Sequence, residues 1–152
     1  IILYFYWTSN NSLLNEFKST NLNYKFKIFG ILSAVFLTIH SIFLGIKFDI
    51  QVYKLMRRVV LLLFIIFELI AQAYLIKFFY EIKKDLENYI NIIYLKIKRI
   101  LITILIIVSI IAIPFLPFDN FKFLKHALEW NVFLGVIIFY LLTHLMWKKT
   151  NS

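Results

Sequence analysis

Four apolar runs constrain this chain more than any other feature: about Ile28–Ile46, Val59–Leu75 with its Lys77–Tyr80 flank, Ile100–Phe118 and Ala127–Trp147. A stretch of about 18 or more apolar residues has the length to cross a hydrocarbon core of roughly 30 Å as a helix. Lipid offers the backbone no hydrogen-bond partners, so runs of this kind satisfy their own amides by folding as helices. The expected fold is all-α: a multi-pass transmembrane helical bundle with four complete spans, at about 28–46, 59–80, 100–118 and 127–147.

Composition agrees with that class. Of 152 residues 62% are hydrophobic and 19% aromatic, with 3 Gly and 2 Pro, far from the makeup of a soluble domain. The opening IILYFYW reaches polar TSNN after seven residues. It reads as an N-terminal partial span, so that 1–152 is a single transmembrane domain and a fragment of a longer chain. With no cysteine, disulfides, thiolate chemistry and Cys-ligated metal sites are excluded. No cofactor is expected. The net charge of +9 sits beside the apolar runs rather than on a separate basic module, which argues against nucleic acid and for membrane topology.

Consecutive spans alternate sides. Residues 8–27, 80–99 and the tail then share one side, with Lys18, Lys25, Lys27, Lys77, Lys83, Lys84, Lys96, Lys98, Arg99, Lys148 and Lys149, eleven basic residues. Residues 47–58 and 119–126 share the other, with Lys47, Lys54, Arg57, Arg58, Lys122 and Lys125, six in all. The excess places residues 80–99 and the C-terminus in the cytoplasm, a reading that fits a bacterial inner membrane. Trp7, Trp130 and Trp147 fall near the span ends, where indoles favour the headgroup level.

Between the second and third complete spans, Ile82, Leu86, Tyr89, Ile90, Ile93 and Ile97 recur at helical spacing, which predicts an amphipathic cytoplasmic helix that doubles back. Pro114 and Pro117 predict a kinked or frayed end to the Ile100–Phe118 span, and Asp119 or Asn120 a cap for the next helix.

Ionisable groups inside a span are costly and by default face a bundle interior or a water-filled cavity. Glu68 and Gln72 lie one turn apart on one face, and the cost of burying a charge leaves Glu68 protonated unless it finds a partner. His40 lies at a similar depth, with Ser33 two turns away on its face. On the last helix His126, Glu129, Tyr140, Thr143 and His144 share one sector, expected to face other helices, while Val132, Leu134 and Ile138 meet lipid or fill packing seams. Lys77 is expected to snorkel. The ligand or proton-handling candidates are therefore His40, Glu68, Gln72, His126, Glu129 and Tyr140. Two arrangements are open: His40, Glu68, His126 and Glu129 converge in the outer half of the bundle, or Glu68 and Gln72 act as hydrogen-bonded packing glue while His126 and Glu129 are interfacial. His126-x-x-Glu129 lacks the second histidine of H-E-x-x-H, so no metal is expected, and no recognised nucleophile motif supports a catalytic residue.

The last helix, LEWNVFLGVIIFYLLT, resembles the final span of the damage-regulated autophagy modulator (DRAM) and FRAG family, which includes a GPI-anchor maturation protein. The residues that carry the resemblance are Glu129, Trp130, Phe139, Tyr140, Leu142 and Thr143, over about 20 positions. It implies six spans with both termini cytoplasmic and a non-catalytic or lipid-handling membrane protein.

Three functions are consistent with these residues. The first is binding or sensing of lipid or a small partner through an outer-half polar pocket, with the bilayer, a lipid or small molecule, or a membrane-protein partner as the molecules met. The second is a proton-coupled transporter or channel component using Glu68. The third is a lipid-modifying membrane enzyme, for which the chain lacks a nucleophile.

Overall fold

The computed structural model describes residues 1–16, 21–46, 50–112 and 122–148, with side chains described at most of these positions. Among them the chain is all-helical, with six helices: α1 (Ile2–Asn15), α2 (Asn21–Gly45), α3 (Gln51–Glu81), α4 (Lys83–Leu86), α5 (Ile92–Ala112) and α6 (Lys122–Met146). Two compact units divide the chain, Ile1–Phe78 and Phe79–Ser152. Two helices are long and apolar enough to cross a membrane, Tyr24–Gly45 and Gln51–Glu81; in α6 the apolar stretch is the shorter Trp130–Met146. The start of α5 carries Lys96, Lys98 and Arg99. Pro114, Pro117, Asp119 and Asn120 lie outside the described residues.

The apolar runs understate the helices. α2, α3 and α5 begin seven or eight residues ahead of the runs they contain, because flanking polar residues keep helical hydrogen bonding without adding to hydropathy. α1 likewise passes through the polar TSNN. Thr8 donates its hydroxyl to the Tyr4 carbonyl at 2.8 Å and Asn10 its amide to Tyr6 at 2.8 Å, folding the polar side chains back onto the preceding turn.

In the first unit α1 packs on α2 at a glycine notch. Trp7 is fully buried, its indole against Gly30 and 6.2 Å from the Phe26 ring. A large flat side chain has filled the space that a missing Cβ leaves.

An aromatic ladder joins α2 to α3. Phe29, Phe36 and Phe43 recur every seven residues on α2, and Tyr53, Phe67 and Tyr74 keep multiples of the same step on α3. Phe36 stacks on Phe67 at 5.4 Å, Phe29 on Phe67 and Tyr74 at 5.9 and 5.8 Å, and Phe43 meets Tyr53 edge-on at 5.6 Å. A seven-residue step keeps side chains on one seam of two helices that wind around each other. At the end of the ladder the Tyr53 hydroxyl donates toward the carbonyls of Phe43 and Ile46, groups that α2 leaves open at its C-terminus.

In the second unit α5 and α6 form an antiparallel pair, since Leu105 meets Gly135 while Lys98 meets Thr143. The buried residues of α5 are Leu95, Lys98, Ile102, Leu105 and Ser109, alternate steps of three and four. Facing them, α6 buries Val132, Val136, Phe139, Leu142, Thr143 and Met146. This is the knobs-into-holes spacing of helices that pack at a shallow angle.

The segment predicted as one amphipathic helix is broken. α4 ends at Leu86, the chain turns, and α5 starts at Ile92 behind Asn91, whose Oδ1 accepts the Ile93 amide at 3.0 Å. The break shifts the helical phase: Ile82, Leu86 and Ile90 are buried, whereas Tyr89, Ile93 and Ile97 are exposed. Ile90 pairs with Trp147 in an antiparallel bridge, in which the Asn91 amide donates to the Met146 carbonyl and the Lys148 amide to Tyr89, each at 2.8 Å. The end of α6 is thereby tied to the turn before α5.

Candidate functional site

The first unit brings Ser33, Glu68 and Gln72 together. Glu68 and Gln72 are one turn apart on α3 and both are fully buried; Ser33, also fully buried, reaches them from α2. Gln72 Nε2 donates to Glu68 Oε1 at 2.8 Å. Ser33 Oγ lies 2.6 Å from Glu68 Oε2 and 2.8 Å from the carbonyl oxygen of Gly30.

Those two serine contacts matter together, because a hydroxyl owns one proton and two lone pairs. With Glu68 ionised, Ser33 donates to the carboxylate. With Glu68 protonated, the carboxyl O–H donates to Ser33 Oγ, and Ser33 turns its own proton to the Gly30 carbonyl. Both protonation states keep their hydrogen bonds with every heavy atom where it stands. Gln72 accommodates either state, since Oε1 of Glu68 accepts from it in both. Gln72 Oε1 itself has no hydrogen-bond partner among the described residues.

His40 is buried on α2, seven residues beyond Ser33 on the same face and so about 10 Å away along the axis. Of the residues on α6, Tyr140 is half-buried with its ring edge-on to Phe139 at 6.3 Å, Thr143 is buried and His144 is exposed. The polar sector of α6 is thus not a single inward face. Each residue turns the helix by about 100°, which separates Thr143 in the seam from His144 beside it. Val132 is buried and Leu134 exposed, as the two roles expected for that side allow. His126 and Glu129 are helical positions of α6 whose side chains lie outside those described, and their convergence with His40 and Glu68 lies there too. Lys77 is exposed. Among the described residues no three His, Cys, Asp or Glu side chains cluster as a metal site would require.

Sequence reasoning missed Lys98. Counted among the cytoplasmic charges, it is fully buried in the second unit. Its Nζ donates to Thr143 Oγ1 at 2.8 Å and lies 4.2 Å from the Phe139 ring centre and 5.3 Å from that of Phe79. The signal was the three-and-four spacing that carries Leu95, Ile102 and Leu105 and includes position 98. Neighbouring Arg99 is exposed and lies over the Tyr80 ring.

No protein family model, curated protein or solved structure matches this chain.

Proposed function

We propose that this is a multi-pass integral membrane protein that handles protons through Glu68, as a component of a proton-coupled transporter or channel. The observation that carries the reading is the Ser33–Glu68–Gln72 arrangement, in which a buried carboxyl gains or loses a proton while keeping its hydrogen bonds to Ser33 and Gln72. The four apolar runs, two of them in helices both long and apolar enough to cross a membrane, support a membrane setting with four complete spans.

The test combines infrared spectroscopy with flux. In lipid vesicles the purified protein should show a protonated-carboxyl C=O band that titrates with pH and disappears in Glu68→Gln, and an imposed pH gradient should drive proton movement that the same substitution abolishes. Flux that survives Glu68→Gln, with no band removed by it, would falsify the reading.

The topology that goes with this proposal has residues 80–99 and the tail in the cytoplasm of a bacterial cell. Because the chain has no native cysteine, single cysteines at Asn88 and Ser152 report position cleanly. Both should resist an impermeant thiol reagent in intact cells and label after permeabilisation. Strong labelling of both before permeabilisation would reverse the orientation.

A second reading, binding of a lipid chain, is favoured by an apolar groove of about 430 Å³ between α1 and α2, bordered by Tyr4, Phe5, Ile31, Val35, Thr38 and Ile39. The DRAM/FRAG resemblance of the last helix points the same way. A photoactivatable fatty-acid probe that failed to label α1 or α2 would remove it.

A further inference from the structure

Lys98 is the one fully buried cation among the described residues, and its surroundings are unusual for a charge. An ammonium has three N–H donors. Here one oxygen receives them, Thr143 Oγ1, whose own proton is directed to the Phe139 carbonyl at 2.9 Å. Beside that oxygen lie the rings of Phe139 and Phe79. Ring faces attract a cation, but they do not replace the water and counter-ion that burial removes.

The charged groups around it do not compensate. Glu81 at the end of α3, Lys96 and Arg99 on α5 and His144 on α6 are exposed, and Lys98 makes no ion pair with any of them among the described residues. Tyr80 and Tyr140 are half-buried neighbours in sequence of Phe79 and Phe139, and neither hydrogen-bonds to Nζ. A neutral amine suits this site better, since it donates to Thr143 and has fewer protons to place. Burial lowers the lysine from 10.5 to about 7, in the direction that the geometry requires.

We propose that Lys98 is a proton-binding site of the second unit: its amine is neutral while the α5–α6 pair is closed at Thr143, and uptake of a proton opens that end. The proton comes from water and goes to the amine lone pair; no other bond changes. Position 98 stands two residues before the apolar run at Ile100, so a short swing of the four-carbon stem takes the charge toward the exposed level of Lys96 and Arg99.

The sign of the pH effect follows from proton counts. Between about 7 and 10.5 the open state binds a proton that the closed state does not, so closure gains stability as pH rises through that window, changing the opening equilibrium by about tenfold for each pH unit. Below about 7 both states are protonated and the dependence levels off.

The test uses the whole chain in lipid nanodiscs, with spin labels on Ile97→Cys and Leu145→Cys, both exposed positions. A longer-distance population should grow as pH is lowered from 9.5 to 7, at close to tenfold per unit while it remains minor. It should be absent at every pH in Lys98→Gln, which keeps a donor for Thr143, and unchanged in His144→Gln. Lys98→Met serves in the same way if the glutamine variant does not fold. A flat wild-type profile, or a pH response that persists without Lys98, overturns the proposal. So does ¹³Cε-lysine NMR in which the resonance lost in Lys98→Gln titrates with the other lysines. These measurements read the second unit alone and are independent of Glu68.

Discussion

Replacing Glu68 by leucine should destabilise the first unit by about 1–3 kcal/mol, the usual cost of leaving a buried polar group without its partner. The group left behind is the Gln72 side chain. Its Nε2 donates to Glu68, its Oε1 has no hydrogen-bond partner among the described residues, and it is fully buried. Ser33 suffers less, because the Gly30 carbonyl still accepts its proton. Glu68→Gln should be close to wild type in stability: the new amide donates to Ser33 Oγ, as the protonated carboxyl does, and its oxygen accepts from Gln72. The double variant Glu68→Leu, Gln72→Leu should recover most of the loss, since removing both partners leaves nothing unsatisfied between them. Denaturation of the purified protein measures all three. Additive losses in the double variant would mean that Glu68 and Gln72 are not coupled in this way. Stability and function separate here, for the double variant should fold well and still lack the titrating carboxyl.

The second large effect is expected at Gly30. A Cβ there would stand 2.2, 2.4 and 2.6 Å from Cδ2, Cγ and Cε2 of Trp7, well inside contact distance. Those atoms belong to a rigid bicyclic ring that is fully buried, so the ring cannot bend away and α1 must separate from α2. Alanine gains about 1 kcal/mol over glycine in helix propensity. Overpacking costs about 1–3 kcal/mol, occasionally more, and should win at this position.

Gly135 provides the comparison. Its added Cβ would stand 2.6 and 2.8 Å from the two Cδ atoms of Leu105, which are the far ends of a rotatable side chain. There the propensity gain should offset most of the steric cost, and Gly135→Ala should fall within about 1 kcal/mol of wild type. In a Trp7→Ala background, which lacks Cδ2, Cγ and Cε2 of the indole, Gly30→Ala should cost far less than it does beside Trp7. Equal losses at the two glycines would show that the notch at Trp7 is not what holds α1 to α2.

The two glycines also mark how far sequence reasoning reaches. Hydropathy alone picked out the long helices among the described residues, because a backbone in apolar surroundings must satisfy its own hydrogen bonds and a continuous apolar run does so as a helix. Its boundaries were short, because polar residues such as Thr8 and Asn10 continue a helix without signalling it. Glu68 beside Gln72 was legible in the same way, as a spacing of four on a single helix. The broken segment around residues 87–91 was not, since Leu86 and Ile90 carry the helical repeat across a turn that tertiary contacts with Trp147 and Lys148 hold in place.

Sequence determined the all-helical class of this protein, the apolar stretches and the angle of each side chain around its own helix axis. Tertiary structure decided which of those angles meets a neighbour. Ser33 becomes a second proton acceptor for Glu68 only because α2 packs there, and Lys98 is buried between Phe79, Phe139 and Thr143 while Arg99, the next residue, stays exposed. A helix presents all its faces equally to a reader of its sequence, but burial depends on the partner, and the partner is specified by residues far away in the chain.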